Sequence, residues 1–204
     1  MKTIVYVDGF NLYYGAVKGT PYKWLDLSKL CRLLLPQHQI VKIKYFTARV
    51  KARPADPTQP IRQQAYLRAL KTLPNLDIIF GDFLTHEISM PSASNPGQFV
   101  KVIKTEEKGS DVNIAAHLVN DGHKKLFETA VLITNDSDLI EPLKIVRYEL
   151  NLPVGILNPQ KKPGRVLAQH ASFIKQIRPG VLAASQFPGP LQDAKGVFYK
   201  PRQW

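Results

Sequence analysis

The sequence predicts an α/β fold, a mostly parallel sheet of about five strands with helices on both faces. Two observations carry this. Short β-branched apolar runs lack the polar alternation of a half-exposed strand, as strands buried on both faces do, and amphipathic helical patterns separate them. Strands alternating with helices imply right-handed crossover connections.

Thr3 to Val7 is the first expected strand, followed by a helical pattern from Asp26 to Leu35 and a second strand from Ile40 to Ala48. Gln59 to Leu73 places Ile61, Ala65, Ala69 and Leu73 every four residues beside Tyr66 and Leu70, which predicts a helix, and Leu76 to Phe80 is a third strand. Phe83 to Ile88 and Phe99 to Lys104 flank a Pro/Ser/Asn/Gly segment, Met90 to Gln98, that reads as an exposed excursion or hairpin. Val112, Ala115, Ala116 and Val119 predict a helix facing the sheet. Ala130 to Thr134 is a fourth strand; Leu139, Leu143, Val146 and Leu150 form the next helical stripe; Pro153 to Leu157 is a fifth strand. After about Arg178 the pattern gives way to Pro, Gly and aromatic residues, so a domain over 1–178 and a tail over 179–204 are expected. The tail's aromatic residues are expected to pack back on the domain or on a second copy, and a homodimer is one arrangement this allows.

At 204 residues the chain exceeds the ~150-residue domain prior by about a third, room for one core and an appendage. Lys and Arg number 28 against 16 acids, a net charge of +12, and such an excess favours a polyanionic partner. Eight of these bases lie between Asn151 and Trp204 against one acid, Asp193. The single Cys31 sits in an apolar helical pattern and forms no internal disulfide, consistent with a reducing cytoplasm. No run reaches the ~18 apolar residues of a membrane span. The five histidines share no zinc-ligand spacing, and neither phosphate-loop nor dinucleotide glycine fingerprints follow the first strand.

In open α/β sheets functional groups collect at the carboxyl ends of strands, and the acids fall there. Asp8 ends the first strand, Asp136 and Asp138 follow the fourth, and Asp111 opens a helix. Taken singly, each has an ordinary role as a cap or turn residue. Together they repel one another unless a cation compensates, and hard divalent cations take such oxygen ligands. In so basic a chain, this pattern points to a Mg²⁺ or Mn²⁺ site with positive charge around it to hold a phosphodiester backbone, which is nuclease chemistry.

Three segments, Val7-Asp8-Gly9-Phe10-Asn11-Leu12, Glu107-Lys108-Gly109-Ser110-Asp111-Val112 and Thr134-Asn135-Asp136-Ser137-Asp138-Leu139, resemble in order and spacing the signature motifs of the NYN domain family, LabA-like branch, among the PIN-like nucleases. The resemblance spans about residues 2 to 178. It implies a three-layer PIN-like α/β/α sandwich with a Mg²⁺ or Mn²⁺ site acting as a ribonuclease. By motif position Asp8, Asp111, Asp136 and Asp138 would be the metal carboxylates, and Asn11 a supporting residue that positions a ligand, water or phosphate. Thr134-Asn135 stands where the family commonly has Ser-Gly, which keeps hydrogen-bonding capacity and adds bulk beside Asp136. A non-catalytic RNA-binding regulator and a small-molecule hydroxylase are the alternatives.

The resemblance implies RNA as the partner, single-stranded in this reading, and basic loops near the acids could hold its backbone. Lys108 precedes Asp111 by three residues. Arg49, Lys51 and Arg53 continue an acid-free run from the second strand, with Tyr45 and Phe46 interleaved, the charge and stacking groups that single-strand binding uses. Within that run Tyr45 is expected in the core and Lys42 and Lys44 in water. Lys161, Lys162 and Arg165 leave the fifth strand on the same edge as further phosphate contacts.

Overall fold

A computed structural model describes residues 1–204. The chain runs β1 (Lys2–Asp8), α1 (Gly9–Leu12) continued by a wide π-type turn (Tyr13–Val17), α2 (Leu27–Leu34), β2 (Gln39–Ala48), α3 (Gln59–Leu70), β3 (Leu76–Pro91), β4 (Phe99–Lys108) and α4 (Ser110–His123). It continues through β5 (Thr129–Ile133), a 3₁₀ turn (Ser137–Leu139), α5 (Ile140–Lys144) with a second π-type turn (Ile145–Glu149), β6 (Val154–Asn158), α6 (Arg165–His170), β7 (Phe173–Gln176), α7 (Pro179–Ala184), β8 (Leu191–Asp193) and β9 (Gly196–Phe198). No helix is long and apolar enough to cross a membrane.

The sheet has seven strands in the order β4-β3-β2-β1-β5-β6-β7, all parallel except β4. The two strands beyond the expected five are β4, part of the anticipated excursion, and the four-residue edge strand β7, whose pattern is too short to announce itself. The excursion is an antiparallel ribbon. It pairs Asp82 through Pro91 with Lys108 through Phe99, so β3 runs on unbroken from the core into the hairpin.

Alternation along β1 divides the core. Val5 and Val7 join one apolar cluster with α2, α3, α7 and the tail, while Ile4 and Tyr6 join another with α4, α5 and α6. Each large side chain fully buried here contributes roughly 1.5–3 kcal/mol. Cys31 is fully buried, and burial pushes its thiol up to about 12. Asp26 caps α2 by accepting the Lys29 amide at 2.9 Å.

Two helical faces differ from expectation. Ile61 is exposed; α3 buries the expected Ala69 and Leu70 and, with them, Leu67. Val112 is exposed as well, because α4 turns Ile114, Leu118 and Asp121 inward. The polar Asp121 belongs on that face because Lys44 does not point into water. Its ammonium bonds Asp121 Oδ2 at 2.5 Å and His117 Nδ1 at 3.1 Å, and Tyr6 donates its hydroxyl to the same Asp121 oxygen at 2.7 Å. Burial first, then the Lys44 cation, hold His117 below its ordinary pKa.

The tail packs on the domain. Trp24 is ringed by Tyr66, Phe187, Phe198 and Trp204 at centroid distances of 5.7–6.4 Å. Arg68 of α3 makes a fork to Asp193 at 2.7 and 2.6 Å and stacks on Phe198 at 4.1 Å, fastening the β8–β9 hairpin.

Candidate metal centre

Strand order reverses about β1, because the chain winds outward through β2 and β3 before crossing to β5 and β6. The crevice beyond β1 and β5 is where such folds place their sites. Asp8 ends β1 inside it, only 5 % exposed. Its Oδ1 accepts the Asn11 amide at 2.9 Å, making it the cap of α1, and its Oδ2 accepts the Thr134 hydroxyl at 3.2 Å. Asp136 follows β5 and accepts the Asp138 amide at 3.0 Å, so it caps the 3₁₀ turn. Asp111 lies in the first turn of α4. The capping roles and the clustering coexist: carboxylate oxygens of Asp8, Asp111 and Asp136 lie within 4.8 Å of one another.

The electrostatics follow from that crowding. Burial, opposed by the Asn11 and Thr134 hydrogen bonds and reinforced by Asp111 and Asp136, pushes Asp8 up to about 6. Asp111 is raised too, by burial and then by Asp136, Glu107 and Asp138. Asp138 is exposed and stands outside the group of three; its amide bonds Asp136, and its carboxylate adds to the charge felt by Asp111.

Asn11 spends its Oδ1 on the Asn135 backbone amide at 3.0 Å, tying the loop after β1 to the loop after β5. Asn135 in turn accepts the Gly164 amide at 2.6 Å and donates to the Lys162 carbonyl at 3.4 Å, bringing in the loop after β6. The residues that replace Ser-Gly therefore brace three loops against each other.

A cleft of about 350 Å³ opens over the carboxylates, and it includes residues not anticipated as site members: Glu107, Ser110, Gln160, Phe83 and Tyr14. Glu107 Oε1 accepts the Ser110 amide at 3.1 Å. Gly81 lets this strand end approach, since a Cβ there would lie 2.5 Å from Glu107 Oε1 and 2.6 Å from the Lys108 carbonyl. Glu107 lay within the second matched segment; its signal was the adjacent Gly-Ser-Asp, which turns the strand end back on the helix.

The residues present fit a hard divalent cation. The three clustered donors are all carboxylate oxygens, and the hydroxyl of Ser110, buried beside Asp111 in the wall of the cleft, has no hydrogen-bond partner.

Of the expected basic contacts, Arg53 lines the cleft. Arg49 lays its guanidinium over Phe80 at 4.7 Å, Lys108 pairs with Glu106 at 3.3 Å, and Lys51, Lys161 and Lys162 on flanking loops and Arg165 at the start of α6 are exposed without lining it.

Known proteins share this architecture. The chain is 30% identical over 236 residues to the 6-hydroxy-3-succinoylpyridine 3-monooxygenase HspA of Pseudomonas putida (strain DSM 28022 / S16), across 100% of this chain and 75% of that protein. A crystal structure of a protein of unknown function, VPA0982, from Vibrio parahaemolyticus RIMD 2210633 superposes with a TM-score of 0.56 at 16% identity, covering 87% of this chain and 93% of the other, which shows a common fold. The NYN domain family model matches residues 2–178. With the acidic cluster at the strand ends and the match across most of its length, this chain belongs to the NYN domain family of the PIN-like superfamily.

Proposed function

We propose that the chain is a metal-dependent ribonuclease that hydrolyses RNA phosphodiester bonds over Asp8, Asp111 and Asp136. The observation that carries the reading is the convergence of these three carboxylates, from three separate elements, within 4.8 Å in a protein of net charge +12. The three would hold Mg²⁺ or Mn²⁺. Such an ion activates water as a nucleophile and stabilises the leaving oxygen. In this reading Asn11, Thr134 and Asn135 keep the carboxylate-bearing loops in register, and Asp138 adds negative charge just outside the donors. Arg53 meets the phosphate backbone at the cleft wall, while Arg49, Lys51, Lys108, Lys161, Lys162 and Arg165 extend the positive field along the strand.

A second reading comes from the relative whose name is that of a hydroxypyridine monooxygenase. One experiment separates the two. Labelled single-stranded RNA is incubated with the protein and Mn²⁺, Mg²⁺ or EDTA beside the Asp136→Asn variant, and 6-hydroxy-3-succinoylpyridine is incubated in parallel with oxygen and a reduced nicotinamide donor. Metal-dependent cutting lost in the variant is the expected result. Consumption of the pyridine without RNA cutting would establish the second reading. RNA bound in a salt-sensitive way but left intact would make the protein a regulatory RNA binder.

A further inference from the structure

A second cavity of about 90 Å³ adjoins the acid cleft. Its walls come from α1, the π-type turn, the end of β2 and α3, and Phe10, Tyr13, Tyr14, Tyr45, Tyr66 and Trp204 are its aromatic lining. Phe10, Tyr14, Val50 and Gln59 line both the cavity and the cleft, so the two are compartments of one site.

The connection to the carboxylates is short. Gly9 follows Asp8, and a Cβ on it would lie 2.7 Å from the Tyr45 ring, so the floor of the cavity closes directly behind the residue after Asp8. The wide turn over Tyr13–Val17 brings both Tyr13 and Tyr14 to the cavity, and such turns recur at functional sites. Tyr14 leaves half its surface exposed, with Lys18 Nζ 4.7 Å from its ring centroid. The rim is polar: Lys23, Gln59 and Arg62 contribute, and the Arg62 guanidinium is held by Asp56, Thr58 and Gln203.

An apolar, aromatic-walled space with a polar rim, opening beside a carboxylate cluster, suits a flat heteroaromatic ring joined to an anionic group. We infer that this cavity seats the base of a nucleotide next to the bond being cut, its ring against Tyr14 and its phosphate toward the acid cleft. The inference rests on the ribonuclease reading and deepens it. Stacking accepts any base, because every base has a π-face, and it would place the strand without reading its sequence.

The test uses a set of short labelled single-stranded RNAs, one intact and the others abasic at each position in turn. Binding is followed by anisotropy in Ca²⁺ and cleavage in Mn²⁺, with wild type, Tyr14→Ala and Tyr14→Phe, after checking that the variants melt as wild type does. Removing a base at one position beside the cut should weaken binding about tenfold, the scale of one base–aromatic stack. Tyr14→Ala should impose a similar loss on intact RNA and add little on that abasic RNA, while Tyr14→Phe should restore binding. Tight binding and cutting indifferent to every missing base, or a Tyr14→Ala loss equally large on the abasic strand, would overturn the inference and leave the ribonuclease reading standing. No binding and no cutting of any RNA would overturn both.

Discussion

The hydroxyl of Thr134 donates to Asp8 Oδ2 at 3.2 Å, and its own oxygen, Thr134 Oγ1, accepts the Asp136 backbone amide at 3.1 Å. One buried side chain thus sets the spacing of two carboxylates that repel each other. Thr134→Val keeps the shape and removes both bonds, so a destabilisation of about 1–3 kcal/mol in urea unfolding is expected. Cleavage should fall at least tenfold. Thr134→Ser should recover most of both; equal loss in Ser and Val would show that the methyl group, not the hydroxyl, matters.

Crowding two further carboxylates, Asp111 and Asp136, against the buried Asp8 costs the metal-free protein stability. Asp8→Asn should therefore raise the melting temperature in EDTA by several degrees while abolishing the further rise that Mn²⁺ gives wild type, since an ion that binds only the folded state stabilises it. A Mn²⁺ shift of the same size in both proteins would remove Asp8 from the ligand set.

Lys44 and Asp121 form a pair inside the layer between β2 and α4, their side chains 12% and 4% exposed. Lys44→Met leaves Asp121 charged and buried, and should cost about 3–5 kcal/mol. Adding Asp121→Asn keeps an acceptor for the Tyr6 hydroxyl and should return most of the loss. If the double variant is no more stable than the single one, the cost lies in packing of the lysine stem.

The Arg68 guanidinium beside Asp193 holds its carboxyl down to about 2 from an ordinary 3.8. A depressed folded-state value contributes stability that is present above 3.8 and lost as pH falls through about 2. Limited proteolysis with pepsin from pH 4 to pH 2 should therefore show the β8–β9 hairpin becoming cleavable toward the acid end. Asp193→Asn should make the hairpin sensitive already at pH 4; cutting of wild type and variant that tracks identically with pH would assign the hairpin's docking to Phe198 and its neighbours alone.

The strands of the central sheet were legible because burial on both faces leaves an uninterrupted apolar run, as in Val131 to Ile133, that needs no partner to be recognised. The acids were legible for a related reason. In a doubly wound sheet the residue that ends a strand is at the functional edge wherever the strand sits, so Asp8 and Asp136 could be placed before their neighbours were known. Helical faces were less so. Val112 and Ile114 are equally apolar, and only the position of α4 over β1 and β2 decides that Ile114 goes in and Val112 stays out.

By itself the sequence determined the α/β class and the parallel core, because these follow from local periodicity and chain direction, and it carried the three segments whose resemblance to the family's motifs marked the acids. The tertiary structure decided which acids meet. It admitted Asp8, Asp111 and Asp136, turned Asp138 outward, brought Glu107 and Ser110 to the cleft, drew Lys44 inside to Asp121, and folded the tail onto Trp24. Each of those outcomes depends on distances between residues dozens of positions apart, which no pattern along the chain encodes.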